Sequence, residues 1–527
     1  MMKKNLVFTL ALGALHSLAF AQTDLSKKYA ETITGDDLRK HLTIISADDM
    51  EGRETGTEGQ RKAASYIELQ FKTIGLKAPA ALKGYQQLYP LVADSMEAAH
   101  AKLNGSELVY GSDYYVQVSK NDNCAIQANE LVFAGYGISE PGYDDYAGKD
   151  VKGKIVVVFL GEPKENGLYL LSNSRNISEY TYPGLSAKAA KAKEKGAVGI
   201  IVIQQTMKNI NNSVVNNNAK TNLTFQRKDA LVGLPSIVLS SESATKLFTQ
   251  WKMDSLVAQA KQTQRIYPET VANFKADYSF TYQKKQRVIN ASNVLGYVEG
   301  TDKKDEYVFV TGHYDHLGKR GDKIFHGADD DGSGTCGVIE MAEAFAKAKA
   351  AGHGPRRTVV FMTVSGEEKG LWGSEYYSDY PVFSLDKTSV DLNIDMVGRK
   401  DPGRKEGDNN NYVYVIGHDK LSSDLPVINE GVNARYTQLE FDYKYDDPND
   451  KERIYYRSDH YNFAKKGVPI LFFFDGIHED YHKTTDTVDK INFDLYEKRI
   501  RMIFHTAWEI ANRDQMLKRD IPLPAEN

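Results

Sequence analysis

The chain has 527 residues, 41% of them hydrophobic and 26% charged, which is the make-up of an ordinary globular protein with room for several domains or one large domain carrying an insertion. A formal charge of −5 is mild over that length and argues against nucleic acid as a partner, since such binding rests on a basic face. Two cysteines, Cys124 and Cys336, exclude a disulfide framework and allow one bridge at most.

At the N-terminus, Lys3 and Lys4, a short apolar run and Ala19-Phe20-Ala21 ahead of Gln22 have the layout of a secretory signal cut after Ala21. The run is short for a membrane span, the residue directly after the cut is not cysteine, and no later stretch reaches transmembrane length. The expectation is an exported protein, periplasmic or extracellular, without stable membrane insertion. Residues 22–104 open with helical patterning: Ala64, Ile67, Leu69 and Phe71 in "GQRKAASYIELQFKTIGL" predict an amphipathic helix on a core. The polar loop before it, "SADDMEGRETGTEG", is either solvated surface or the rim of something functional.

Residues 105–265 change texture. "ELVFAGYGI" and "GKIVVVFL" read as strands, and "SAKAAKAKEKGAVGIIVI" as a helix that passes through a glycine turn into a strand. Residues 266–527 alternate longer elements. "EYVFVTGH", "RTVVFMTVSG", "SVDLNIDMVG" and "GVPILFFFDG" are predicted strands, "GTCGVIEMAEAFAKAKA" a helix and "YEKRIRMIFHTAWEIANR" a closing helix. Cys336, inside the first of these helices, reads as a small buried residue. Repeated strand–helix–strand order predicts an α/β fold with a mixed, largely parallel sheet flanked by helices.

Acids and histidines fall just after the predicted strands: His313 and Asp315, Glu367 and Glu368, Asp395, and His482. Open α/β sheets bind ligands at the carboxyl ends of their strands, so these positions can converge on one crevice. Gathered carboxylates need cations, and a His/Asp/Glu mixture without thiolates suits zinc or a similar divalent metal. The turn "HGADDDGSG" (326–334) adds three consecutive carboxylates. It is not a calcium loop of the EF-hand type: with Asp331 fifth, Gly327 falls first and Val338 twelfth, where acids are required. It is not a phosphate cradle either, having no lysine after its glycines. By itself it remains open between a transition-metal site and a solvated turn.

"HEDYH" (478–482) literally fits the H-E-x-x-H pattern of zincins, which needs both histidines on one helix. Here it follows a strand ending in glycine and precedes the β-branched "KTTDTV", a poor helix former. The expectation is that His478 and Glu479 are loop residues.

"GHYDH", "GADDDGSG", "SGEEKGLWGS", "NIDMVGR" and "DYHKTTDT", in this order and spacing, resemble the co-catalytic di-zinc aminopeptidases, a family that also includes glutamate carboxypeptidase and the glutaminyl cyclases. The resemblance spans about residues 30–100 and 285–515. "LVFAGYGISEPGYDDYAGKDVKGKIVVVFLGEP" and "KAAKAKEKGAVGIIVI" resemble a protease-associated (PA) domain. The implied organisation is a signal peptide at 1–21, a peptidase domain over 22–104 and 266–527, and an inserted β-rich α/β PA domain over 105–265.

Carried over position by position, the resemblance implies two zinc ions per chain. His313 and Asp395 would hold one, Glu368 and His482 the other, and Asp330 would bridge them, with a cis peptide to Asp331. It further implies Glu367 as the base that takes a proton from the attacking water, Asp315 as the partner orienting His313, and Tyr481 at the tetrahedral oxyanion. Arg457 would contact substrate, and Tyr455 is a second candidate for the oxyanion. The implied activity is release of N-terminal residues from peptides or small proteins. The alternatives are a carboxypeptidase or dipeptidase of the same family, a glutaminyl cyclase, an H-E-x-x-H zincin, and an inactive receptor-like binding protein.

Overall fold

Residues 25–523 are described by a computed structural model, apart from 214, 216–220, 228–232, 250–251, 263–272 and 448. The signal-like segment 1–21 lies outside the described residues. Two units form: one from the described residues up to Tyr89 together with Asn290 onward, the other from Pro90–Ile289. Among the described residues, no helix is long and apolar enough to cross a membrane.

In the first unit, the Thr34 side chain caps helix α1 (Gly35–Ile45) by accepting from the Asp37 N–H, satisfying a donor that the first turn leaves without a partner. Helix α2 (Glu58–Ile74) ends at Gly75, whose left-handed φ of 86° lets its N–H close back on the last turn. Ala64, Ile67 and Phe71 of α2 are buried as expected, but Leu69 is 57% exposed. It lies two residues from both Ile67 and Phe71, and helix geometry puts that spacing on the other side of the cylinder.

The sheet of this unit is built from β1 (Lys303–His313), β2 (Arg357–Val364), β3 (Thr388–Ile394), β4 (Tyr412–Ile416), β5 (Glu440–Asp442) and β6 (Ile470–Phe474). Their order is β5-β4-β6-β3-β1-β2, and residues 294–298 add an antiparallel strand beside β2. β1 runs parallel to β2 and β3, and β3 parallel to β6. β2, β3, β4 and β6 are buried at every position, as expected for strands covered on both faces.

Helix α3 (Gly334–Ala350) and the closing helix α4 (Phe493–Asn512) share a core with α1, α2 and one sheet face, which includes Val310, Phe345, Phe361, Leu392 and Phe504. Phe309, Met362, Tyr377, Phe463 and Phe472 pack on the other face. Fully buried Cys336 sits in α3 as a small core residue, and both cysteines are free.

In the second unit, Ile155–Phe159, Gly199–Gln204 and Ser236–Ser240 are parallel neighbours. Helix Leu185–Glu194 leads through Gly196, at φ 91°, into the Gly199 strand, as its sequence predicted. Residues 274–282 pair antiparallel with strand Cys124–Phe133.

Candidate active site

The registers of the parallel strands align their carboxyl ends. His313 stands opposite Val364, and Thr311 opposite Asn393, so Glu367 and Asp395 leave their strands at the level of His313. The loop after β6 brings His482 to the same edge, with the residue at φ 57°.

The three aspartates of the glycine-rich turn are used differently. Asp331 accepts from the backbone N–H groups of His313 (3.1 Å), Gly334 (2.7 Å) and Met396 (3.1 Å), tying β1, α3 and the end of β3 together. Asp329 accepts from the Gly398 N–H at 2.7 Å and meets His478 Nε2 at 3.1 Å. Asp330, joined to Asp331 by a cis peptide, keeps a buried Oδ2 with no hydrogen-bond partner. That oxygen lies 3.2 Å from His482 Nε2, while Oδ1 lies 3.4 Å from His313 Nε2. His313, Asp331 and Asp395 also lie close enough to share an ion. The Asp331 oxygens are already engaged by three N–H groups, so Asp330 is the better donor.

Glu367 and Glu368 occupy a short turn after β2 and diverge. Glu368 Oε2 reaches His482 Nε2 at 3.2 Å, and its buried Oε1 has no hydrogen bond. Asp395 Oδ1 is 3.5 Å from His313 Nε2, and its Oδ2 accepts from Ser458 Oγ at 2.7 Å. Glu367 Oε2 stands further off, 3.9 Å from His313 Nε2. The Asp315 carboxylate accepts from Thr55 Oγ1 (2.6 Å) and from the Glu367 N–H (3.2 Å), and is 3.7 Å from His313 Nδ1. His313 Nδ1 itself meets the Asp315 backbone carbonyl at 3.1 Å. Asp315 therefore holds the turn carrying Glu367 as well as facing the His313 ring.

The electrostatics fit a cation. Burial opposes charge on Asp330, yet the imidazoles of His316, His313 and His482 hold its carboxyl well below the usual range. Burial also opposes charge on His482, but Asp330 and Glu368 drive it up to about 10. Asp330 Oδ2, Glu368 Oε1 and both ring nitrogens of His316 are buried together without hydrogen-bond partners, although buried polar atoms are normally paired. An oxygen and imidazole donor set of this kind suits zinc or a similar divalent ion.

A cavity opens on the cluster. Its lining combines the polar His313, Asp330, Glu367, Asp395, Arg457 and Tyr481 with the apolar Met396, Ile454, Phe472, Phe474 and Ile477. Tyr481 stacks on His482 with ring centroids 3.8 Å apart, and Arg457 Nη2 donates to its hydroxyl at 3.2 Å. Tyr455 is not brought to the cavity. Its ring is buried among Tyr456, His460 and Tyr461, and its hydroxyl is buried without a partner. An aromatic residue in "RIYYRSDH" packs more favourably inward than across a wet cleft.

"HEDYH" forms a turn rather than a helix. His478 is engaged by Asp329, and Glu479 has a side chain 68% exposed. The geometry a zincin needs is therefore absent.

Two features escaped the sequence. One is His316, which directly follows Asp315 in "HYDH" and places Nδ1 2.8 Å from Glu368 Oε1. The other is Arg53, fully buried in the polar loop that the sequence left open between solvated surface and functional rim. It donates to the carbonyls of Tyr314 (2.7 Å), Ile45 (2.9 Å), His326 (2.6 Å) and Gly327 (2.8 Å). A lone arginine in a polar loop carries no sign that it will be buried.

Residues 293–507 match Peptidase family M28, and residues 106–247 match the PA domain. A "Probable zinc metalloprotease" of Pyrenophora tritici-repentis is 36% identical over 129 residues, 22% of this chain and 24% of that protein. "Leucine aminopeptidase 1" of Penicillium rubens is 30% identical over 196 residues, 35% of this chain and 47% of that protein. The chain thus spans about a quarter and about half of these relatives. Among solved structures, an aminopeptidase from Aneurinibacillus sp. strain AM-1 shares the fold with a TM-score of 0.52 at 19% identity, covering 95% of this chain and 100% of that one. The acidic crevice at the strand ends thus lies within the stretch that matches Peptidase family M28, and the stretch that matches the PA domain precedes it in the sequence.

Proposed function

We propose that this protein is a metallo-exopeptidase, and first of all an aminopeptidase, working with two zinc ions per chain. His313 and Asp395 would hold one ion, Glu368 and His482 the other, and Asp330 would serve both. The observation that carries this is the meeting of Asp330 Oδ2 and Glu368 Oε1, buried and without hydrogen bonds, with the imidazole nitrogens of His482 and His316 at the edge of a cavity. When bound, the ions would polarise the scissile carbonyl and make water acidic enough to attack near neutral pH.

Glu367 lines the cavity beside the cluster. Burial, with Glu368, Asp395 and Asp459 nearby, raises its carboxyl well above the usual range against the opposing pull of His313. A carboxylate in that position can take the proton of the attacking water and deliver it to the departing amine. Asp315 positions it through the Glu367 N–H. Tyr481, oriented by Arg457, offers its hydroxyl to the tetrahedral oxyanion. The apolar part of the lining suits an apolar side chain on the terminal residue. Export through the signal-like residues 1–21 would place the enzyme where peptides of external origin are available.

A second reading, a carboxypeptidase or dipeptidase, is favoured by Arg457, a cationic group on the cavity wall that could receive a free carboxylate. A panel of peptides with free, acetylated or amidated ends separates the two. Turnover abolished by N-acetylation and indifferent to C-amidation is expected; the reverse pattern would establish the second reading.

A further inference from the structure

His316 is the imidazole that the proposed ligand set leaves unused. It is 0% exposed, and neither ring nitrogen has a hydrogen-bond partner. A neutral imidazole buried without a bond forfeits its hydration for nothing, so such a ring calls for a partner outside the polypeptide. Nδ1 points into the acidic cluster, 2.8 Å from Glu368 Oε1 and 3.8 Å from Asp330 Oδ2. The close approach to Glu368 is not aligned as a hydrogen bond. One donor atom from each of His316, Asp330 and Glu368 lies within 4.8 Å of the other two, the spacing of donors around one ion. The ring of His482 stands edge-on, 6.0 Å away by centroids, on the same two carboxylates.

The turn is also shaped around this ring. A Cβ on Gly327 would lie 2.6 Å from His316 Cγ and Cδ2, so glycine is needed beside it. Arg53, which accepts from the His316 N–H at 3.4 Å through its carbonyl, binds the carbonyl of Gly327 with its guanidinium.

We propose that His316 is a protein ligand, through Nδ1, to the same cation as Glu368 and His482. That ion then has two imidazoles and two carboxylates, whereas its neighbour at His313, Asp330 and Asp395 has one imidazole. The two sites should differ in affinity, since added imidazole donors favour zinc and similar ions. The inference rests on the proposed function, because it presumes that the cluster holds metal.

The test uses the full chain, stripped of metal and titrated with Zn²⁺ and with Co²⁺. Wild type is expected to bind two ions in two resolved steps. In His316→Ala one step should weaken by about 100-fold or more, beyond the roughly 10–100-fold that loss of an outer partner costs. It should be the step that His482→Ala also weakens, and the visible Co²⁺ spectrum of that site should change. His316→Asn, run in parallel, guards against a folding defect, with metal-free melting midpoints matched to wild type. Unchanged affinity and an unchanged Co²⁺ spectrum in a normally folded variant would overturn the inference, as would weakening of the other step. Failure of wild type to bind metal would instead overturn the proposed function beneath it.

Discussion

Glu367 and Glu368 are chain neighbours that meet different surroundings. Glu368 Oε2 reaches His482, while Glu367 stands on the cavity wall, its backbone held by Asp315. In the proposed reaction the first is a ligand and the second a base, so their substitutions should separate. Glu367→Gln keeps the side-chain size and removes the basic oxygen. It is expected to retain two ions by elemental analysis while peptide turnover falls by about 10²–10⁴-fold. Full turnover would discard the role. Glu479→Gln makes the opposite case: an exposed turn residue outside the cluster, expected to leave metal content and turnover nearly unchanged. Near-total loss of activity would bring the H-E-x-x-H reading back.

At the scale of elements, the site depends on a turn held from both sides. Asp331 fastens it to β1, α3 and β3, and Asp486 accepts from the Asp329 and Asp330 N–H groups. Arg53 closes it from the loop before α2, using one guanidinium for four carbonyls. Arg53→Met should leave those buried acceptors short of donors and cost about 2–4 kcal/mol in denaturant unfolding. Metal retention should fall with it, because Gly327, packed against the His316 ring, loses the guanidinium that anchors it. A variant with wild-type stability and metal content would show that the arginine merely fills space.

For the molecule as a whole, bound cations would stabilise the unit that contains the crevice. An ion present at about a thousand times its dissociation constant adds about 4 kcal/mol to the folded state by mass action. Chelation should therefore lower hydrogen-exchange protection in β1, β2 and β3, and leave strands Ile155–Phe159 and Gly199–Gln204 of the second unit as they were. Equal loss in both units, or none in either, would count against a metal confined to this crevice.

Much of the fold was legible from residue order. β-Branched and aromatic runs marked the strands, and a glycine after a lysine-rich helix marked its turn into the next strand, because these patterns are local. The residues of the crevice were legible for a related reason: acids and histidines at strand ends lie in one place whenever parallel strands share a register. Leu69, Tyr455, His316 and Arg53 were not. Which way a tyrosine faces, whether an arginine is buried and whether a third histidine joins the cluster depend on elements distant in sequence. His316 meets Glu368, 52 positions later, and Arg53 meets Gly327, 274 positions later. Composition and periodicity thus settle the strands, the helices and the residue types at the crevice. The inequality of the three aspartates arises from packing, since Asp329 and Asp331 are claimed by backbone N–H groups that only folding brings to them, and Asp330 is left with a free oxygen.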